Sequence, residues 1–99
     1  MNAAFVIERD AAGPRLRGRL GFAEAAAAAP RWRELVGEGQ QQVAVDLAGL
    51  ERPDSATLAV LLAWSARAQR AGVRLKFRSL PAGLLALARL CGAEEFLQA

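Results

Sequence analysis

One strand-helix-strand segment in the middle of the chain constrains the fold most strongly. Residues 43–47 (VAVDL) are nearly all apolar and are bounded by polar residues, which is typical of a buried central strand. Residues 55–71 contain no glycine or proline, and Gly72 follows where a helix-ending glycine is expected, so a long helix is predicted. Residues 73–77 form the next strand. Two strands joined by a helix favour a parallel pair.

Basic residues alternate with apolar residues in two of the predicted strands, as half-buried strands require. Residues 73–77 place Val73, Leu75 and Phe77 inward and Arg74, Lys76 and Arg78 outward. Residues 15–20 place Leu16, Gly18 and Leu20 on one face and Arg15, Arg17 and Arg19 on the other. These two rows of outward basic residues indicate that one face of the sheet is solvated and that the helices lie on the other face. Contact of the arginines with an acidic partner or lipid headgroups is the alternative.

The N-terminal region is predicted to be a β-hairpin. Residues 4–8 form its first strand, and Gly13-Pro14 provides the turn chemistry before the second strand at residues 15–20. The hairpin strands run antiparallel to each other. The hairpin therefore adds an antiparallel edge to the parallel crossovers.

Two further helices flank the central segment. Residues 22–29 are rich in alanine, and a break or kink is expected at Pro30 because proline lacks the backbone N–H. The C-terminal helix begins near Pro81 and ends at Gly92, and a last turn follows at residues 94–97. Its shared apolar face predicts core positions for Leu84, Leu87, Ala88 and Cys91.

The predicted fold class is α/β. A chain of 99 residues is the length of one domain, so residues 1–99 are expected to form a single domain. The elements give a mixed four-stranded sheet, in which the N-terminal antiparallel hairpin joins parallel crossovers. The helices lie mainly on one face of this sheet.

The residue types needed for common catalytic and metal sites are missing from the sequence. With no histidine and one cysteine, the chain cannot form a His/Cys zinc site, a Ser-His-Asp triad or a Cys-His pair. Neither a P-loop nor a dinucleotide-binding glycine motif occurs. We therefore expect no enzyme activity, no catalytic residues, no metal and no cofactor.

Charge and cysteine content indicate the compartment and exclude some partners. The net charge is only +3, and no aromatic-rich basic segment occurs, so nucleic-acid binding is not expected. A single cysteine fits a reducing cytoplasm. The longest apolar run, residues 58–64, is far shorter than the roughly 20 residues needed to span a bilayer. A cytoplasmic protein without a membrane span is predicted.

The start of the long helix is the main candidate for a binding site. Asp54 and Ser55 are both favoured N-cap types, and capping by one of them is expected whatever the function. A helix N-terminus also carries partial positive charge, which suits a carboxylate or phosphate of a partner. Capping and partner binding at this position are compatible.

Apolar residues on the long helix cover more of its circumference than one sheet normally buries. At about 100° per residue, Val60 and Trp64 form a second stripe beside the core stripe, and the combined apolar arc is about 200° wide. One interpretation is that the C-terminal helix covers Trp64 through Leu87 or Leu90. The other is that Val60 and Trp64 stay partly exposed and anchor a partner.

The segment from the buried strand to the helix resembles the STAS domain. The hallmark of that family is a strand ending in hydrophobic-Asp-Leu, a short loop, and Asp-Ser/Thr-small-Gly-Leu at the start of a helix. The matching residues here are Val45-Asp46-Leu47 and Asp54-Ser55-Ala56-Thr57-Leu58. Residues 72–75, 80–81 and 84–92 extend the resemblance, which is strongest to the MlaB-type subunit of phospholipid-transport ABC systems.

The resemblance implies a non-catalytic interaction and regulatory subunit. It would bind the ATPase of an Mla-type phospholipid-transport complex at the inner membrane and support outer-membrane lipid asymmetry. Partner contacts are then expected at Asp54, Ser55, Ala56 and Thr57, beside Val60 and Trp64.

The alternative implied by the resemblance is an anti-sigma-factor antagonist that is regulated by serine phosphorylation in a partner-switching pathway. An anti-sigma factor or serine kinase would then be the partner, and Ser55 is the candidate phosphorylation site. The antagonist branch is phosphorylated one residue later, where this chain has Ala56, and Thr57 replaces the usual glycine. The sequence thus departs from the pattern of that branch.

Overall fold

A computed structural model describes residues 4–98 of the chain. The strands are β1 (Phe5–Asp10), β2 (Gly13–Gly18), β3 (Gln42–Leu50) and β4 (Arg74–Arg78). The helices are α1 (Phe22–Ala28), α2 (Ser55–Arg70), α3 (Ala82–Leu90) and α4 (Glu94–Gln98), and a 3₁₀ helix (Ala29–Leu35) directly follows α1.

The four strands form one mixed sheet, as predicted, and lie in the order β1-β2-β3-β4. β1 and β2 are antiparallel, whereas β2–β3 and β3–β4 are parallel. The predicted position of the hairpin turn was wrong. Gly13 and Pro14 lie in β2 and pair with Asp10 and Arg9, and the turn is formed by the two alanines before them. The carboxylate of Asp10 closes this tight turn by accepting the N–H of Ala12 at 2.8 Å.

β3 is longer than the sequence indicated and continues through Gly49 to Leu50. Gly49 lies beyond the strand predicted at residues 43–47, yet it pairs with Arg17 next to an irregularity in the β2–β3 ladder. A Cβ on Gly49 would lie 2.7 Å from the carbonyl oxygen of Leu16. Only glycine allows the two backbones to approach this closely, so the strand extends beyond its apolar segment.

The core lies on one face of the sheet, between the strands and the helices. Side chains on this face are buried at alternate positions, as in Val43, Val45 and Leu47 of β3. Residues from the helices, including Leu35, Leu61, Leu84 and Leu97, belong to the same core cluster. This arrangement confirms the predicted inward positions in β4 and the helices on one face.

The opposite face of the sheet is partly exposed and carries the predicted basic rows. Arg17 donates to the Glu8 carboxylate at 3.1 and 3.2 Å, and Arg15 forms ion pairs with Glu8 and Asp10 at 3.5 Å. The hydrogen bond from Arg17 lowers the pKa of the Glu8 carboxyl below its usual value. The acidic side chains of β1 thus neutralise the cations of β2.

The helical segment between β2 and β3 changes geometry next to Pro30, as predicted. Pro30 has no backbone N–H, and the chain continues from α1 as a 3₁₀ helix. Two side chains of α2 satisfy carbonyl groups at this junction. The indole Nε1 of Trp64 donates to Ala28 O at 2.9 Å, and Arg67 Nη1 donates to Ala29 O at 2.9 Å.

Glycines end α2 and α3 in left-handed conformations. Gly72 (φ +83°) follows α2, and the N–H of Val73 donates to Ala68 O at 2.9 Å, which confirms the predicted helix stop. Gly92 (φ +68°) reverses the chain after α3 in the same way.

The prediction that Cys91 is a core residue was wrong, because its side chain is exposed. α3 ends at Leu90, and the chain turns away from the core at Gly92. The N–H of Ala93 donates to Ala88 O at 2.7 Å, and Ala93 is buried there. At this turn Ala93 is therefore buried, whereas Cys91 is exposed.

Trp64 is expected to contribute to stability both by packing and by its hydrogen bond. Its side chain is fully buried, so Trp64→Ala should lower the free energy of unfolding by about 3–5 kcal/mol. Trp64→Phe keeps an aromatic ring but leaves Ala28 O without this donor, which should cost about 1–3 kcal/mol.

Urea unfolding followed by circular dichroism measures both losses. Trp32→Phe is the matched control, because Trp32 is only half-buried and its indole N–H makes no hydrogen bond within residues 4–98. The role of the Trp64 hydrogen bond would be contradicted if Trp64→Phe lowered the free energy of unfolding no more than Trp32→Phe does.

Candidate functional site

The candidate site lies at the carboxyl ends of β2 and β3. β2 leads into α1 through residues 19–21, and β3 leads into α2 through residues 51–54. Both helices thus begin at the same edge of the sheet. This edge is where open α/β sheets commonly bind ligands and partners.

Asp54 is the N-cap of α2, which confirms that one of the two predicted residues caps this helix. Its Oδ1 accepts the backbone N–H of Thr57 at 3.0 Å. The hydroxyl of Thr57 accepts the backbone N–H of Asp54 at 3.0 Å in return. This reciprocal pair forms a capping box and fixes the first turn of α2.

Thr57 also links the first turn of α2 to the connection between β2 and α1. Its hydroxyl donates to the carbonyl of Leu20 at 2.6 Å, and the side chain is fully buried. The next residue, Gly21, lies against Asp54, because a Cβ on Gly21 would be 3.1 Å from Asp54 Oδ2. The start of α1 is therefore held directly beside the start of α2.

The loop before α2 contains a left-handed residue other than glycine. Arg52 has φ +48°, which is costly for a residue with a Cβ. The loop is tied to β2, since the N–H of Glu51 donates to Gly18 O at 2.8 Å. The capping box on one side and this hydrogen bond on the other keep Arg52 in the strained conformation.

The residues from Asp54 to Thr57 differ strongly in exposure. Asp54 and Ser55 are exposed, Ala56 is half-buried and Thr57 is buried. The hydroxyl of Ser55 makes no hydrogen bond within residues 4–98. Asp54 and Ser55 can therefore face a partner, whereas Thr57 acts within the fold.

Of the two interpretations of Val60 and Trp64, the one that leaves them partly exposed was wrong. Val60 is 4% exposed and Trp64 is 0% exposed. The hydrogen bond of Trp64 to Ala28 O holds Trp64 against the end of α1. Leu90, one of the two residues expected to cover Trp64, is 84% exposed instead. In the free chain Val60 and Trp64 are parts of the core and not surface anchors.

Phe22 is a surface residue that the sequence analysis missed. It is the first residue of α1, next to Gly21, and its side chain is 88% exposed. The available signal was a single aromatic residue at the start of an otherwise alanine-rich helix. An exposed phenylalanine is the residue type that commonly anchors a protein interface.

Asp54, Ser55 and Phe22 give the site an exposed carboxylate, hydroxyl and phenyl ring. Within residues 4–98, no group of three or more acidic or cysteine side chains is placed to hold a metal ion. Asp54 is occupied by the capping box. In the same described range, no helix is long and apolar enough to cross a membrane.

The hydroxyl of Thr57 should be more important for stability than its methyl group. Thr57→Val keeps the shape but leaves Leu20 O and the N–H of Asp54 without this partner, which should cost about 1–3 kcal/mol. Thr57→Ser keeps the hydroxyl and should cost less. The free energy of unfolding in urea measures both, and a valine variant that is more stable than the serine variant would contradict this role.

Comparison with known proteins agrees with this geometry. The family model described as "Mlab, STAS domain" matches residues 4–98. A search of curated proteins finds no match. STAS domains are generally non-enzymatic protein-interaction modules. The chain belongs to the MlaB-type STAS domain family.

Proposed function

We propose that this chain is a non-catalytic subunit that binds the ATPase of an Mla-type phospholipid-transport ABC complex. The observation that carries the proposal is the family match over residues 4–98. The chain would act on the cytoplasmic side of the inner membrane, held there through the complex. Its binding would support the transport that maintains outer-membrane lipid asymmetry.

The surface proposed for the ATPase consists of Phe22, Asp54, Ser55 and Ala59. All four residues are exposed, and Phe22 is the only large apolar residue among them. Asp54 and Ser55 add a carboxylate and a hydroxyl beside it. An exposed aromatic group together with small and polar residues is a common composition for an interaction surface.

This surface is rigid before any partner binds. The capping box and the bond from Thr57 to Leu20 connect the first turn of α2 to the start of α1. Little conformational freedom remains to be lost at the backbone of these residues. A preorganised surface binds more tightly than a flexible one with the same contacts.

Loss of the Phe22 side chain should weaken ATPase binding without destabilising the protein. Phe22→Ala should raise the Kd by about tenfold or more, as for an aromatic interface anchor. The melting temperature should stay unchanged, because the side chain is 88% exposed. The measurement is calorimetric titration with the ATPase subunit of a phospholipid-transport complex from the same genome.

Leu90→Ala is the matched control, because Leu90 is 84% exposed but lies at the end of α3. A second variant, Ser55→Arg, adds a long side chain at the proposed surface and should also weaken binding. If Phe22→Ala and Ser55→Arg both bind like the original chain, this surface is not the interface. If the original chain does not bind the ATPase at all, the proposed function itself is contradicted.

The second candidate function is an anti-sigma-factor antagonist controlled by phosphorylation. The exposed hydroxyl of Ser55 favours it, since a kinase can reach this position. A phosphate would add about −2 charge at the start of α2. Phosphoserine at Ser55 in protein isolated from its own cells, together with binding to an anti-sigma kinase instead of the ATPase, would support this function.

A further inference from the structure

One face of the sheet, which we call the outer face, has no helix packed on it within residues 4–98. The helices lie on the other face, where Val43 and Val45 of β3 belong to the core. The strands β2, β3 and β4 form parallel pairs. Parallel strands are nearly always covered by helices on both faces. The outer face is therefore the side on which a further helical layer is missing.

Small residues form the centre of the outer face. Ala44 lies between the buried Val43 and Val45, so its side chain is on the outer face. Gly13 of β2 lies beside it, since a Cβ on Gly13 would be 3.5 Å from Ala44 O. Ala48 is exposed farther along β3. Small side chains at a packing surface allow a helix to approach closely.

A row of three cations lies beside this centre. Arg74, Lys76 and Arg78 of β4 are on the outer face, because the residues between them, Leu75 and Phe77, are buried in the core. Among residues 4–98, these three cations form no ion pair within 4.0 Å. The β4 row thus differs from β2, whose Arg15 and Arg17 are paired with carboxylates.

The carboxylates near the β4 row leave it with an excess of positive charge. Asp46 is in register with Arg78, and Glu95 lines a groove with Arg74 at the amino end of β4. Neither carboxylate is within 4.0 Å of these arginine nitrogens. The helix that carries Glu95, α4, contributes Leu97 to the core and so lies on the other side of the sheet. The outer face beside β4 is therefore cationic.

The spacing of the β4 row matches the spacing of side chains along a helix. Alternate residues of a strand are about 6.6 Å apart, and residues four apart in a helix are separated by about 6 Å along its axis. The strands on either side of β3 are about 10 Å apart, which is also about the diameter of a helix. A helix along β3 would thus place one row of its side chains opposite the cations of β4.

Two other occupants fit the outer face less well. A second copy of this chain offers no α-helix with a row of carboxylates, because α2 and α3 have no acidic residue, α1 has only Glu24, and the two acidic residues of α4 are adjacent. A flat anionic membrane would meet Glu8, Asp10 and Asp46 on the same face. A helix contacts a narrower strip and avoids the carboxylates of β1.

We propose that the outer face binds an α-helix of a partner protein that carries a row of carboxylates four residues apart. The helix would lie along β3 over Ala44, and its carboxylates would pair with Arg74, Lys76 and Arg78. None of these residues belongs to the surface proposed for the ATPase. The two proposals can therefore fail separately.

The first test uses blocked, alanine-rich helical peptides in an NMR titration of the full chain. A peptide with glutamate at every fourth position should shift the amide signals of Ala44 and Lys76. A peptide of the same composition, with its glutamates spread around the helix, should bind at least about fivefold more weakly. A central proline in the first peptide should weaken binding to a similar extent, because proline breaks the helix.

The second test changes the charge of the outer face. Lys76→Glu should weaken binding of the first peptide about tenfold, since repulsion replaces attraction. Arg70→Glu is the matched control, because it makes the same charge change at the exposed end of α2. It should leave the peptide Kd nearly unchanged at physiological ionic strength.

The third test changes the shape of the outer face without changing its charge. Ala44→Gln places a longer side chain beneath the docked helix and should weaken peptide binding about fivefold or more. Ala66→Gln is the matched control, because Ala66 is exposed on α2. It should bind the peptide like the original chain. If Ala44→Gln or Lys76→Glu fails to fold, the comparison of peptides still decides.

Three outcomes would overturn the proposal. The first is no binding of the peptide with glutamate at every fourth position. The second is equal binding of the peptide with spread glutamates, or unchanged binding to folded Ala44→Gln, either of which indicates charge attraction without a docked helix. The third is binding to vesicles of phosphatidylcholine and phosphatidylglycerol that shifts the signals of Ala44 and Lys76 when the peptide does not, which would make a membrane the occupant.

Discussion

The buried hydrogen bond between Thr57 and Leu20 is the interaction on which the arrangement of the candidate site depends. It joins the connection after β2 to the first turn of α2, where Asp54 completes the capping box. A buried hydroxyl without partners would be costly, so the two connections are held together. This contact brings Phe22 and Ser55 to the same edge of the sheet, although they are distant in the sequence.

A second constraint comes from the proline that ends α1. The geometry changes to a 3₁₀ helix after Ala28, and the carbonyls at this junction need donors. Trp64 and Arg67 of α2 provide them. These two hydrogen bonds hold α1 against α2, and the one from Trp64 also satisfies the N–H of a buried indole. The site and the core are therefore linked through α2, which carries Thr57 at its start and Trp64 in the core.

The starts of α1 and α2 form the surface proposed for a partner. It carries one exposed aromatic side chain, Phe22, beside the exposed Ser55. The capping box and the bond from Thr57 to Leu20 hold the backbone beneath these side chains in place. The surface therefore exists in the free chain, before any partner binds.

The sequence by itself determined the order of elements, a cap at Asp54 or Ser55, the stop at Gly72 and the inward positions of β4, because these features depend on local backbone chemistry and periodicity. It also identified the family through the segment around Asp46 and Asp54. Only the tertiary structure decided that Trp64 is buried, that Cys91 is exposed and that Phe22 remains uncovered. Periodicity shows which residues share a face, but the neighbour that covers each face is set by packing between distant elements.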